Sequence, residues 1–98
     1  MTVTSIFEVQ LKPDAVETGL AVVHKILADT RAFDGNLGVS VLQDHADPTH
    51  VVAIEHWESL EHDAAYREWR AGPGAATELR ELLAAPPRLS ICTDIAQL

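Results

Sequence analysis

Cys92 is the only cysteine in the chain, so no disulfide can form within it. Basic residues are also scarce: 7 Lys and Arg stand against 15 Asp and Glu, a formal net charge of −8. Such a field repels phosphate backbones and anionic lipid, and no Lys/Arg cluster interrupts it, so neither nucleic acid nor a membrane is expected as a partner. No apolar run approaches the ~20 residues needed to cross a bilayer. The start Met-Thr-Val-Thr-Ser has neither a basic n-region nor a long apolar h-region, and the expectation is a soluble cytoplasmic protein. Gly-rich phosphate loops, dinucleotide fingerprints and nucleophile-base pairs are missing as well. Five histidines are present, but none has ligand spacing. His45 and His50 fall in a predicted loop, His56 on a strand and His62 on an exposed helix turn. No metal and no cofactor is expected.

What is present suits one folded domain over residues 1–98. At 47% hydrophobic and 22% charged, the chain can build a core. Val3 to Leu11 alternates as a first strand, with Val3, Phe7, Val9 and Leu11 on one face, interrupted by Ser5. Asp14 and Glu17 fit a capping box. The helix after it runs to about Phe33 with Val16, Leu20, Val23 and Leu27 as its apolar stripe. Gly19 inside that helix implies close backbone packing or room for a ligand, unless it is simply tolerated. Asp34-Gly35-Asn36 is turn chemistry. Leu37 to Leu42 and Val51 to Trp57 read as an antiparallel hairpin, with Ala53, Glu55 and Trp57 on one face and Val52, Ile54 and His56 on the other. Ser59 is the expected N-cap of a helix from about Leu60 to Ala71, with Glu61 and Asp63 suiting its positive end. A further helix is expected over Ala75 to Ala85, stopped by Pro86-Pro87, and a last strand over Leu89 to Ile95.

The order β-α-β-β-α-β is that of a ferredoxin-like α+β sandwich with an antiparallel sheet. One layer of helices covers only one sheet face. Ile6, Leu42, Val52, Ile54 and Cys92 are expected on the other, too much apolar surface to stay wet. The economical closure is a homodimer whose sheets pack face to face, a dimeric α+β barrel.

Gly35-Asn36-Leu37-Gly38 opening a strand, Asp47-Pro48 in the hairpin and Glu55-His56-Trp57-Glu58-Ser59 leading into a helix resemble the antibiotic biosynthesis monooxygenase family over nearly the whole chain. The resemblance implies a small dimeric α+β barrel. Several members oxidise anthrone-like or quinol aromatics with molecular oxygen and neither metal nor flavin. Others degrade haem or quinones. Trp57 matches the tryptophan lining the family's cavity, and Glu55 matches the acid two residues before it. Quinone-forming members carry an asparagine where this chain has Ala53. Haem-degrading members place a histidine ligand where Tyr66 and Arg67 stand and an asparagine near Phe7, so haem degradation is not implied.

Cofactor-free oxygenation needs a dry cavity for a planar phenol or anthrone and a group that removes a proton, so that the carbanion can reduce oxygen. The candidate catalytic residues are Glu55, Trp57 and Tyr66. Glu55 is the base if burial beside Trp57 raises its pKa, or a structural carboxylate paired with Arg67 or Arg70. Phe7, His24, Trp57, Tyr66 and Trp69 are the candidate substrate contacts. His24 is alternatively a second base, or a solvated or core histidine, and the aromatic rings alternatively fill the core. The function expected is a cofactor-independent monooxygenase of a polycyclic phenol, anthrone or quinol. The alternative is a non-catalytic dimeric binding or accessory domain, or a cyclase, for an aromatic polyketide-like ligand.

Overall fold

The computed structural model describes residues 1–98. Its elements are β1 (Val3–Gln10), α1 (Val16–Ala32), β2 (Asn36–Gln43), β3 (His50–Trp57), α2 (Leu60–Ala71), α3 (Thr77–Arg80) and β4 (Arg88–Thr93). The strands form one antiparallel sheet in the order β2-β3-β1-β4, the ferredoxin-like α+β arrangement. No helix is long and apolar enough to cross a membrane.

Period 2 decides which side chains of β3 meet the helices. Val51, Ala53, Glu55 and Trp57 are buried, while Val52 and Ile54 are half-buried and His56 is exposed. The opposite β1 residues obey the same rule, because Ile6 pairs with Ile54 and Ser5 with Glu55. One apolar cluster joins Val9, Leu11, Val51 and Ala53 of the sheet region to Val22, Val23 and Leu27 of α1 and to Leu79. A second, nearer the start of β1, joins Val3, Trp57 and Tyr66, with Phe33 and Trp69 packed against it. Each fully buried aliphatic or aromatic side chain in these clusters contributes on the order of 1.5–3 kcal/mol relative to exposure.

Several local expectations need correction. α1 has no capping box: Ala15 is its N-cap, no side chain caps it, and Asp14 and Glu17 are both exposed. The turn is held instead by the backbone bond from Ala15 N to Lys12 O at 2.9 Å. The buried stripe of α1 is Gly19, Val22, Val23, Leu27 and Thr30, with Val16 and Leu20 at its half-buried edge. Gly19 lies where a Cβ would stand 2.7 Å from both methyls of Leu11, itself wholly buried, so close packing is why glycine is there. The expected helix over Ala75 to Ala85 shrinks to the four residues of α3. Leu82, Leu83 and Ala84 are drawn into extended pairing with the end of β1: Lys12 N donates to Leu82 O at 2.9 Å and Ala84 N to Gln10 O at 2.7 Å. Alternation in β2 is broken by an irregularity between Asn36 and Gly38, which leaves Leu37 57% exposed. Cys92, opposite Thr4 on β4, is exposed in the single chain, as its place on the open sheet face implies.

The corner between β3 and α2 forms as its sequence implies. Ser59 is the N-cap of α2 and its hydroxyl accepts from His62 N. Gly35 holds φ at +86° beside it, and a Cβ there would collide with the His62 ring, so only glycine fits this turn.

Candidate functional site

Between the sheet and the helices lies a cavity of about 220 Å³. Its walls are mainly aliphatic, with Phe7, Val9, Val51 and Ala53 from the sheet region and Val23, Ile26 and Leu27 from α1. The polar groups reaching it are Glu55 from β3, Tyr66, Arg67 and Arg70 from α2, and Arg80 from α3. Three of the candidate substrate contacts or acids, Phe7, Glu55 and Tyr66, therefore converge on one space. The other three candidates do not line it. Trp57 is wholly buried behind the wall, its ring centroid 4.9 Å from that of Tyr66. Trp69 borders a separate depression with Pro73 and Gly74. His24 is exposed, which removes it as a base inside this cavity. Its place in α1, directly after Val23, turned it away because the stripe is centred on Val22 and Val23 rather than trailing toward residue 24.

Glu55 is 1% exposed. Its Oε1 accepts two bonds, from Arg67 NH2 at 2.6 Å and from Trp57 Nε1 at 3.2 Å. Both engage the same oxygen, which leaves Oε2 without a protein hydrogen bond on a cavity-lining residue. Burial pushes the Glu55 carboxyl above its ordinary range, opposed by the charge and hydrogen bond of Arg67 and by the bond from Trp57. Desolvation wins because a low-polarity wall offers a carboxylate little in place of water. The pairing with Arg67 considered for Glu55 is thus present, and it coexists with a raised proton affinity.

Arg67 NH2 also donates to Asp63 Oδ1 at 3.1 Å, an i,i+4 pair along α2. The same Oδ1 accepts from Ser5 Oγ at 2.7 Å. Ser5 and Asp63 are buried polar neighbours of the Arg67–Glu55 pair that pattern reading passed over. Their signal was available: Ser5 is the one polar interruption of the apolar β1 face, and Asp63 lies four residues before Arg67.

Tyr66 presents its ring to the cavity but its hydroxyl is engaged elsewhere. It lies 2.6 Å from Thr30 Oγ1 and accepts from Arg70 Nε at 2.7 Å. Thr30 Oγ1 donates onward to Ile26 O at 3.3 Å, so the consistent arrangement has Tyr66 donating to Thr30. Arg70 is fixed by further bonds to Gly74 O at 3.0 Å and Ile26 O at 2.9 Å. Phe33, unnoticed in the sequence, completes the aromatic cluster edge-on to Trp57 at 6.1 Å and to Tyr66 at 5.3 Å. No group of three or more His, Cys, Asp or Glu residues with metal-holding geometry is found.

The sequence profile described as antibiotic biosynthesis monooxygenase matches residues 2–77. The chain belongs to the antibiotic biosynthesis monooxygenase family. Solved structures share the fold at low identity. A protein from Deinococcus radiodurans described as a putative antibiotic biosynthesis monooxygenase is 20% identical, with a TM-score of 0.85 over 98% of this chain and 95% of that one. SnoaB, a cofactor-independent oxygenase from Streptomyces nogalater, is 22% identical, with a TM-score of 0.82 over 99% and 96%. A counterpart from Nitrosomonas europaea, also described as a putative antibiotic biosynthesis monooxygenase, is 22% identical, with a TM-score of 0.81 over 98% and 100%. No curated protein sequence matches significantly. At these identities the neighbours establish the fold, and the family match extends through the Glu55 to Arg67 corner but not to β4.

Proposed function

We propose that this chain is a cofactor-independent monooxygenase that oxidises a compact phenol, anthrone or quinol with molecular oxygen, with Glu55 as the base. The observation that carries the reading is a carboxylate on the wall of a largely apolar cavity, one oxygen held by Arg67 and Trp57 and the other unbonded. A volume of about 220 Å³ lies below the ~300–1,000 Å³ of pockets for drug-sized ligands, which favours a small planar ring system. Phe7 and the Tyr66 ring supply aromatic surface for it. A second copy of the chain, packed on the open face of the sheet that carries Ile6, Val52 and Ile54, completes the proposed dimer.

For an anthrone, Glu55 takes one proton from the central methylene. The C–H bond breaks, an O–H bond forms on the carboxylate, and the electron pair enters the rings as an enolate. The enolate passes one electron to dioxygen, and the radical pair combines to a carbon-bound peroxide that recovers the proton from Glu55. Loss of the second methylene proton with cleavage of the O–O bond gives the quinone. One oxygen atom ends in the new carbonyl and the other leaves as water. The enolate oxygen meets no free Tyr66 hydroxyl, so the cationic edge of Arg67 is the nearer source of stabilisation.

Oxygen uptake over an anthrone and quinol panel, with and without protein, tests the reading. Glu55→Gln should slow turnover by the ~10²–10⁴-fold of a lost general base, and full activity in that variant refutes the assignment. The engaged hydroxyl of Tyr66 favours a second reading, a non-catalytic binding or accessory domain or a cyclase for a polyketide-like aromatic. Ligand-dependent quenching of tryptophan fluorescence without oxygen uptake selects it.

A further inference from the structure

The buried charges behind the cavity do not balance. Glu55 and Asp63, each 1% exposed, share one guanidinium, and both bonds come from the same nitrogen, Arg67 NH2. Asp63 Oδ2 and Arg67 Nε are buried without any hydrogen-bond partner. A fully committed Arg67 would face one carboxylate with two parallel N–H groups; here it is divided between two.

We propose that Asp63 is a positioning residue for the cavity carboxylate: by drawing Arg67 partly to itself and adding a second negative charge, it keeps Glu55 from being fully neutralised and leaves it able to accept a proton. Ser5 completes the device by donating to Asp63 Oδ1, which holds that second charge in place. Beyond Arg67 and Trp57, no neighbour hydrogen-bonds to the Glu55 carboxylate. β2 offers Val39 opposite Glu55 and β1 offers Ser5, neither charged. Of the remaining cations, Arg70 is committed to Tyr66, Gly74 and Ile26, and Arg80 lines the same cavity from α3. The Asp63 charge is one of the causes that raise the Glu55 carboxyl, so removing that charge must make Glu55 easier to ionise.

The proposal rests on Glu55 being the base, but its test does not need turnover. Trp57 Nε1 donates to Glu55 Oε1, so the indole N–H resonance of Trp57 reports the ionisation of Glu55 in the ligand-free protein. It is assigned against Trp69→Phe. In the wild type the resonance should titrate once, and Glu55→Gln should abolish the inflection. Asp63→Asn, which preserves shape, should move it to lower pH by about one unit or more. Should Asp63→Asn fail to fold, Asp63→Ser, which removes the same charge, decides the sign. An inflection that stays put or rises in these variants overturns the proposal. Where a substrate is found, the acid limb of kcat/KM should follow the resonance. A resonance that moves while the rate profile does not upholds the positioning role and removes Glu55 as the base.

Discussion

Arg67→Met tests the buried charges most directly. The methionine fills much of the volume of the arginine stem but leaves Glu55 and Asp63, with side chains 2% and 1% exposed, facing each other without a cation. Two ionised carboxylates cannot share a dry site without large cost, so one enters the fold as the neutral acid. In the unfolded chain the same group ionises near pH 4.3, and each pH unit above that costs about 1.36 kcal/mol. The ceiling on the pH-dependent part of the loss, for one acid, is therefore about 3.7 kcal/mol at pH 7 and about 1 kcal/mol at pH 5. The folded variant holds a proton that the unfolded chain has released, so its stability falls as pH rises. The wild type already shows part of this trend, because burial raises the Glu55 carboxyl, and the measured difference should lie below the ceiling. Against a typical domain stability of about 5–15 kcal/mol the effect is large. Urea unfolding followed by tryptophan fluorescence, at fixed protein concentration and at both pH values, measures it. A destabilisation equal at pH 5 and pH 7 refutes the reasoning and assigns the loss to packing. Adding Glu55→Gln to Arg67→Met should flatten the pH dependence.

Other perturbations reach separate parts of the fold. Ser59→Ala removes the cap of α2 and the 2.7 Å contact of its hydroxyl with His62 Nδ1, and should cost about 1 kcal/mol in urea unfolding. Val52→Asp with Ile54→Asp places charge on the open sheet face and should convert the expected dimer to monomer or aggregate in light scattering; a monomeric wild type would refute that reading. His50 lies 3.0 Å from both Asp44 and Glu8, and its pKa is raised, by Asp44 first and Glu8 second, while the hydrogen bond from His50 lowers that of Asp44. The stabilisation from protonated His50 is complete below the ordinary value of 6.5 and is lost as pH rises through the raised one. The wild type should therefore lose more relative to His50→Gln on going from about pH 6 to about pH 9 in thermal unfolding.

How far the chain could be read depended on the range of the forces that shape each segment. The β3 to α2 corner was legible because everything that makes it is local: alternation assigns Glu55 and Trp57 to one face, and Ser59 satisfies an amide three residues on. Local signals misled where a distant segment offered more. Asp14 and Glu17 have the spacing of a capping box, yet backbone bonding at Lys12 closes the turn without them. Leu82 to Ala84 have good helix propensity, but extended pairing with Gln10 and Lys12, with Leu83 bridged to Leu11, satisfies their backbone and half-buries Leu83 against the core. Periodicity also gives direction without depth. It placed Trp57 on the helix side of the sheet, but could not say that Tyr66 would line the cavity with Trp57 closed off behind it.

That sealing changes what the Glu55, His56, Trp57 stretch does. A tryptophan at the cavity surface would have contacted the ligand; buried behind it, Trp57 acts on the acid instead, through a bond to Oε1. Arg67 approaches the same oxygen from α2. Two donors on one oxygen orient the carboxylate of this cavity-lining residue and leave the other oxygen without a protein hydrogen bond, a division that a single salt bridge would not enforce. The structural role of Glu55 is therefore compatible with the proposed chemical one: the ion pair fixes the group, and on the proposed reading the sharing of one guanidinium by two acids preserves its basicity. A simple ion pair would require only Arg67. The presence of Asp63, with Ser5 placed in an otherwise apolar strand face to receive it, is what the proposed proton acceptor in a dry wall would need and a purely structural corner would not.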